Sequence, residues 1–346
     1  MTVDSLSERF RSFSLNECRG SSRLYECLAE EIANDAEVLV MSEHANPGQP
    51  IPNLLLGAVH YLLQDSQHPL KQFYPSLTAN PAMPEKAFPW FKDFCRIHEK
   101  GIKQLITKKL VQTNEVRRCV YLYPVFCHIY QQSGRPLSLI ELGCSAGLQL
   151  LWDQYAYRYG NGLMVGNANA RLVLSSEVRG DRLPLLRKSP PVAERIGIDL
   201  HISNLDDPVD YAWLKALIWP EHQTRRTAFE RAAYQYENEA AHLELIEGNG
   251  VELLEDVAAG ISYESTICVF HTHVANQIPA EEKRKLLNRI KHISEKREIF
   301  HIYNNMYDRL LHLDRHSAGK ETHGTVGSTD GHGSWFEWRL GQQEKH

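Results

Sequence analysis

The feature that most constrains the fold is the segment Leu137–Leu151, which reads L-S-L-I-E-L-G-C-S-A-G-L-Q-L-L. It predicts an apolar strand that ends in a carboxylate, a tight loop of small residues, and an apolar helix that starts at Ala146. Gly143 and Gly147 can adopt backbone angles closed to other residues, and the first N–H groups of the helix would be unpaired. Loops of this shape hold nucleotide-like cofactors at the carboxyl end of a sheet.

The order of the elements along the chain predicts the fold class. The residues before Leu137 show helical periodicity, so Leu137–Leu142 is expected to be the first strand of the sheet. An alternating tail, Gly333–Leu340, reads as a last, antiparallel strand. The strands expected between them are Arg195–Leu200, Glu244–Gly250, Thr266–His273 and Arg297–Tyr303. We therefore expect an α/β fold: a helical N-terminal region over residues 1–135, and a Rossmann-like, mostly parallel sheet over residues 136–346.

One spacing indicates an insertion in this sheet. Asp199, at the end of the second predicted strand, lies 52 residues after Gly147, whereas the acid that binds a ribose usually follows the glycines by about 20 residues. An inserted hairpin over residues 155–191 would account for the difference. Asp199 is the expected ribose acid, and Glu177, at the end of an alternating run within the insertion, is its rival.

Two chemistries fit the loop. Read as E-x-G-x-S-x-G, Glu141–Gly147 resembles the first motif of class I S-adenosylmethionine-dependent methyltransferases. Read as G-x-S-x-G, Gly143–Gly147 resembles the nucleophile elbow of an α/β hydrolase, with Ser145 as the nucleophile. An elbow serine normally follows several earlier strands, so a position after the first strand favours the cofactor interpretation. A glycine-rich turn that binds nothing is the third interpretation.

The methyltransferase resemblance implies S-adenosylmethionine as the cofactor and assigns its contacts. Asp199 would bind the ribose hydroxyls, and the amide of Asn249 would read the adenine edge. The methionine and ribose portions would be lined by Glu141, Gly143, Ser145 and Gly147.

Two histidines are the candidates for catalysis. His271 and His273 are two residues apart on a predicted strand, so their side chains should share one face at the carboxyl end of the sheet. Imidazole titrates near neutral pH, which suits a general base or a substrate-orienting pair. Asn276, in the loop that follows, would help to orient the methyl acceptor.

A polar stretch among the N-terminal helices, Gln112–Arg118, leads toward the glycine loop. Its side chains Asn114, Glu115 and Arg117 are expected to face the site and bind substrate. The alternative is a helix N-cap with an exposed first turn.

Composition limits the function classes. A net charge of −5 and a pI near 6.4 exclude nucleic-acid binding by bulk electrostatics. The chain has no apolar run of about 18 residues and no signal-like start, so we expect a cytoplasmic protein without a membrane span. Its seven cysteines show no paired spacing, which predicts buried thiols, no disulfide and no metal site.

The chain as a whole resembles a bacterial family known as domain of unknown function 2332. The similar segments are S-S-R-L-Y-E (21–26), A-V-H-Y-L-L (58–63), H-P-L-K-Q-F-Y-P (68–75), T-N-E-V (113–116), E-L-G-C-S-A-G-L (141–148), G-I-D-L (197–200) and W-L-K-A-L-I-W-P (213–220). The name implies no activity. The expected function is thus transfer of a methyl group to an oxygen or nitrogen of a small molecule, with non-catalytic cofactor binding or sensing, and serine hydrolysis by Ser145, as alternatives.

Overall fold

The computed structural model describes residues 3–160, 162–239 and 242–340. The chain divides into two compact units. The first contains Met1–Thr113 and Asp206–Thr227, and the second contains Asn114–Leu205 and Ala228–His346. These units do not coincide with the predicted division between residues 135 and 136.

The first unit is built from helices, and its described residues before residue 114 contain no strand. None of the helices in the described ranges combines the length and the apolar character needed to cross a bilayer. In chain order the helices are α1 (Val3–Phe13), α2 (Arg23–Ile32), α3 (Ala36–Ser42), α4 (Ile51–Leu63), α5 (Phe88–Ile97), α6 (Glu99–Lys108), α7 (Cys119–Ser133), α8 (Pro208–Ala216), α9 (Gln223–Glu239), α10 (Gly250–Gly260) and α11 (Ala280–Lys296). Helices α1 to α6 and α8 belong to the first unit, α9 begins in it, and α7, α10 and α11 belong to the second unit.

The second unit contains two sheets. Their strands are β1 (Leu137–Leu142), β2 (Ala156–Tyr159), β3 (Leu163–Gly166), β4 (Val173–Gly180), β5 (Val192–Asp199), β6 (Glu244–Glu247), β7 (Thr266–His271), β8 (Ile299–Tyr303), β9 (Leu310–Ser317), β10 (Lys320–Ser328) and β11 (Trp335–Trp338). The larger sheet has seven strands in the order β10-β9-β8-β7-β1-β5-β6. Its pairings from β6 to β8 are parallel and the two that involve β9 are antiparallel. The expected α/β class with a mostly parallel sheet is therefore present.

The larger sheet buries an apolar layer under two helices. All six residues of β1 are buried, and Ile140 and Leu142 join a cluster with Leu254 of α10 and Leu286 and Ile290 of α11. Full burial of each such side chain contributes about 1.5 to 3 kcal/mol. From β1 the chain order runs outward through β5 and β6 on one side and through β7 and β8 on the other. Such a reversal opens a crevice at the carboxyl ends of the strands.

The predicted place of the last strand is wrong. Trp335–Trp338 (β11) pairs in parallel with β4, in a separate four-stranded sheet of order β11-β4-β2-β3. The antiparallel strands of the larger sheet are instead β9 and β10. An alternating pattern indicates a strand but not its partner. Here the partner, β4, belongs to the inserted segment.

The inserted segment forms most of the smaller sheet. Strands β2 and β3 make an antiparallel hairpin, as expected for residues 155–191, and β4 adds a parallel neighbour to β2. Glu177 lies on β4, where its carboxylate is 2.9 Å from Arg179 Nε and its side chain is 62% exposed.

Candidate functional site

The chain turns sharply after β1 through three residues with left-handed backbone angles. Gly143, Ser145 and Gly147 have φ values of 75°, 51° and 72°. Glycine adopts such angles freely, whereas the side chain of Ser145 makes them cost about 1 to 2 kcal/mol. The Gly143 N–H donates to Ile198 O of β5 (2.8 Å). The tight turn expected from the small residues is present at the carboxyl end of β1.

The element after the loop differs from the prediction. Leu148–Gln154 is a 3₁₀ helix, so the predicted α-helix start at Ala146 is wrong. The chain then enters β2 at Ala156. The Ala146 N–H is also not unpaired, since it donates to Asn114 Oδ1 (3.3 Å). A helix N-terminus therefore does not supply the binding groups of this loop.

Asp199 is the last residue of β5, and its carboxylate is turned toward the loop. Oδ2 accepts a hydrogen bond from the Ser145 N–H (2.7 Å), and Oδ1 accepts one from the His201 N–H (3.1 Å). Each carboxylate oxygen has a second lone pair, so both can still accept a hydrogen bond from a ligand. Asp199 is thus held where the loop after β1 meets the end of β5.

Asn114 contacts the same loop through both the nitrogen and the oxygen of its side-chain amide. Nδ2 donates to Ser145 Oγ (3.0 Å), and Oδ1 accepts from the Ala146 N–H (3.3 Å). The side chain therefore fixes the loop in its left-handed conformation. Its predicted contact with substrate stays a prediction.

The hydrogen bond of the Ser145 hydroxyl bears on the hydrolase alternative. A serine nucleophile needs a base within hydrogen-bond reach, normally an imidazole. In the part of the chain that the structure describes, the partner of Ser145 Oγ is the Asn114 amide, and no imidazole is bonded to it. This arrangement does not support Ser145 as a nucleophile.

Glu141 lies on β1, one residue before the strand ends, and is 3% exposed. Its Oε2 has no hydrogen-bond partner among the described residues. Burial raises the pKa of this carboxyl well above its usual range, the negative charge of Asp199 raises it further, and the positive charge of Arg118 opposes both. Glu141 is therefore a buried acid close to the loop, and one of its carboxyl oxygens has no donor among the described residues.

His271 is the last residue of β7 and is completely buried. Its Nε2 lies 3.1 Å from Nε2 of His301 on β8. Burial lowers the pKa of His271 to about 4, and the charge of Lys283 lowers it further. The ring is a neutral member of the interior between β7 and β8.

His273 lies two residues beyond the end of β7 and has a φ of 57°. The predicted shared strand face with His271 is therefore wrong, because the strand is shorter than expected. The Asn305 amide Nδ2 donates to His273 Nδ1 (3.1 Å), which assigns the ring proton to Nε2. That Nε2 is buried and has no partner in the described ranges. Burial lowers the pKa of His273 to about 4, and the charge of Arg118 adds to this.

The other two asparagines predicted to contact ligands, Asn249 and Asn276, follow strands of the larger sheet. Asn249 follows β6 and caps α10, since its Oδ1 accepts from the Val251 N–H (2.9 Å). Asn276 is exposed on the 3₁₀ helix Ala275–Gln277 that follows β7. Their contacts with a ligand stay predictions.

Glu115 and Arg117 bond to residues outside the loop. Glu115 is buried, and its Oε2 lies 3.0 Å from His332 Nδ1. Arg117 Nε donates to Ser175 O of β4 (3.0 Å). Of the three polar residues predicted from Gln112–Arg118, Asn114 is the one that the structure brings to the loop.

Sequence reasoning missed Arg118, although it selected the arginine before it. Arg118 is 7% exposed and lies near Glu141 and His273. It directly precedes the apolar run Cys119–Val125, all of which is buried. That boundary is the signal by which its burial could have been predicted.

Comparison of the chain with known protein families gives a match. Residues 7–338 match the model of a family described as an uncharacterized protein conserved in bacteria, domain of unknown function 2332. Neither the curated proteins nor the solved structures contain a match to the chain. Because the match covers nearly all of the sequence, the chain belongs to this bacterial family.

Proposed function

We propose that this protein binds S-adenosylmethionine at the Gly143–Gly147 loop and transfers its methyl group to an oxygen or nitrogen atom of a small molecule. The order of the parallel strands supports the proposal. The loop follows the first strand, β1, which lies at the reversal of strand order between β5 and β7. In open α/β sheets a nucleotide-like ligand binds at that reversal.

The observation that carries the proposal is the contact between Asp199 and the loop. The carboxylate ends β5, next to β1, and bonds to the Ser145 N–H at 2.7 Å. An acid in this position, with spare lone pairs, can accept hydrogen bonds from both hydroxyls of a ribose. Had the carboxylate pointed away from the loop, the cofactor interpretation would have lost its ribose contact.

Glu141 provides a test of whether the site suits a cationic ligand. Its buried carboxyl has an oxygen without a partner, and an unsatisfied buried acid is unfavourable. A positively charged group beside it would supply the missing partner, and S-adenosylmethionine carries two, an ammonium and a sulfonium. When bound, this cofactor supplies a methyl group on sulfur that is open to attack by a nucleophile.

The residues of the chain would divide the remaining tasks. The turn at Gly143 ends β1 beside Asp199, and Asn114 keeps the loop in place. His273 presents an N–H rather than a lone pair, so we assign it to orienting the acceptor. Holding two reactants in line can contribute about 7 to 11 kcal/mol to the acceleration.

The test compares the two candidate ribose acids. We expect Asp199→Ala to weaken the binding of S-adenosylhomocysteine at least about tenfold, which corresponds to one lost charged hydrogen bond. Glu177→Gln removes the rival carboxylate, which lies on β4 and bonds to Arg179, and should leave the affinity unchanged. Equilibrium dialysis with wild type and both variants measures the effect. Equal affinities for all three proteins, or no binding at all, would contradict the proposal.

Non-catalytic cofactor binding is the second candidate, and the histidines favour it. The ring of His271 is completely buried, and His273 Nδ1 accepts from Asn305, so neither presents an accessible lone pair to a methyl acceptor. Incubation with methyl-labelled cofactor and a panel of small acids, amines and alcohols separates the two candidates. Tight binding without any labelled product would favour the sensor over the enzyme.

A further inference from the structure

Arg118 is fixed in the second unit by neutral oxygen atoms. It ends a 3₁₀ helix, Val116–Arg118, and is 7% exposed. Nε donates to Gly331 O (3.0 Å), and Nη1 lies 3.3 Å from Thr272 O and 3.4 Å from Thr272 Oγ1. Thr272 Oγ1 donates in turn to Gln149 Oε1 (3.1 Å). The guanidinium is therefore held in one position.

No ion pair that the described residues form includes this buried cation. Among the residues in the described ranges, no carboxylate oxygen lies within 4.0 Å of its nitrogens. Three acids lie nearby without an ion pair to it: Glu115 bonds to His332, and Asp330 bonds to the backbone N–H of Ser334. The third, Glu141, interacts with the charge of Arg118, but burial still raises the pKa of its carboxyl well above the usual range. Burying a charge is costly unless the charge is paired. Neutral oxygens orient the guanidinium but do not neutralise it.

Three hydrogen-bond donors in this region have no acceptor among the described residues. The hydrogen bonds of Arg118 with described residues use Nε and Nη1, and Nη2 takes part in none of them. His273 Nε2 and Asn304 Nδ2 are buried and likewise have no partner there. The three residues are linked by hydrogen bonds. Arg118 bonds to Thr272, the neighbour of His273, and the backbone N–H of His273 donates to Asn304 Oδ1 (2.7 Å). Asn304 is completely buried, so its free amide N–H groups have no access to bulk water.

These donors lie on the opposite side of β1 from Asp199. Thr272 and His273 follow β7, and Asn304 follows β8, whereas Asp199 ends β5. Strand β1 lies between β5 and β7. The ribose acid and the donor group are therefore separated by the loop after β1, which leaves the β7 side for a second ligand.

We infer that Arg118, together with His273 and Asn304, forms a binding site for an oxyanion, and that the methyl acceptor is a small molecule with a carboxylate or phosphate group. Donors without acceptors beside an unpaired guanidinium match such a group in both charge and hydrogen bonding. The anion site is inferred from the contacts of these residues alone. Its assignment to the acceptor rests on the proposed function.

The test uses small anions and the full chain without cofactor. Thermal unfolding is followed with sodium acetate, sodium phosphate, acetamide and sodium chloride at matched ionic strength. We expect acetate or phosphate to raise the Tm by about 2 °C or more, and acetamide and chloride to leave it unchanged. The comparison of acetate with phosphate identifies the class of oxyanion. No rise with either anion overturns the inference.

Two variants locate the effect. Arg118→Gln should abolish the rise, whereas Arg315→Gln, which removes a half-exposed arginine paired with Glu298 at 2.6 Å, should keep it. A rise that survives Arg118→Gln overturns the inference. If Arg118→Gln does not fold, modification of wild type by phenylglyoxal replaces it, with peptide mass spectrometry as the readout. The anion should then slow modification of Arg118 relative to Arg315, and equal rates overturn the inference.

A last arm separates the acceptor from the cofactor, which has a carboxylate of its own. With saturating S-adenosylhomocysteine, the acetate or phosphate effect should persist and add to that of the nucleoside. Loss of the anion effect by competition assigns Arg118 to the cofactor and overturns the acceptor class. If S-adenosylhomocysteine does not bind, the proposed function fails, while the titration without cofactor still decides the anion site.

Discussion

Glu141 is the residue whose protonation should respond most directly to the proposed ligand. In the free protein, burial and the charge of Asp199 raise the pKa of Glu141. Its carboxyl group therefore keeps its proton at a pH well above the one at which a carboxyl group usually loses it. A cation placed beside it favours the carboxylate and lowers that pKa. Binding of a cationic ligand therefore releases a proton, and linkage makes the affinity rise with pH.

This linkage gives a prediction at the residue scale. The affinity of wild type for S-adenosylmethionine should increase with pH, by at most about tenfold per pH unit for one released proton. Glu141→Gln has no proton to release and should remove this dependence. Glu281→Gln, at a position on α11 where the side chain is 67% exposed, is the control and should behave as wild type. Calorimetric titrations over a pH series measure all three, and an affinity of wild type that is independent of pH would contradict the role of Glu141.

The residues of the site differed in how far the sequence predicted them. Asp199 was predictable because it ends an apolar strand next to the glycine loop, and parallel strands bring their carboxyl ends together. The direction of the His273 side chain was not predictable. The strand ends at His271, and His273 itself has a left-handed backbone conformation, so the alternation of side chains does not extend to it. Arg118 was missed because local pattern shows polarity, whereas its burial depends on the distant Gly331 and Thr272.

At the scale of elements, the loop after β1 and the loop after β7 approach each other closely. A Cβ added at Gly143 would lie 2.5 Å from Val274 Cγ2, and the φ of this residue is +75°. Gly134, which ends α7, also has a positive φ of +66°, but a Cβ there would have nothing within 4 Å. A comparison of alanine substitutions at Gly143 and Gly134 therefore separates the cost of backbone strain from the cost of steric overlap.

We expect Gly134→Ala to cost about 1 to 2 kcal/mol of unfolding free energy, the usual price of a left-handed alanine. Gly143→Ala should cost about 1 to 3 kcal/mol more, because the methyl group overpacks against Val274. Urea unfolding of the two variants and wild type gives both values. Equal losses for the two substitutions would show that the loops do not meet as described.

The elements themselves were predicted unevenly. Strands β1, β5, β6, β7 and β8 were found from short apolar runs, since strands of a parallel sheet that is covered by helices are rich in apolar residues. The hairpin of β9 and β10 was not found, because its polar side chains hide the alternation. His316 of β9 and its neighbour Asp314 are buried despite their polarity, which no composition rule anticipates.

At the scale of the molecule, the class of fold followed from the sequence but the division into units did not. Asp206–Thr227 returns to the first unit although it lies between strands of the second. Within the first unit, Trp213 Nε1 donates to Leu110 O (2.9 Å), and Lys109 Nζ lies 2.8 Å from Asp210. Such contacts join residues about a hundred positions apart, and local periodicity carries no information about them.

Hydrogen–deuterium exchange of the whole chain, with and without S-adenosylmethionine, tests the central claim most directly. We predict slower exchange in peptides that cover residues 141–149 and 198–203, where the loop and Asp199 meet, because a bound ligand stabilises the closed form of the backbone around it. Peptides of the β9 and β10 hairpin, residues 310–328, should be unchanged and serve as the internal control. Exchange that is the same with and without the cofactor at the loop and at Asp199 would contradict the account.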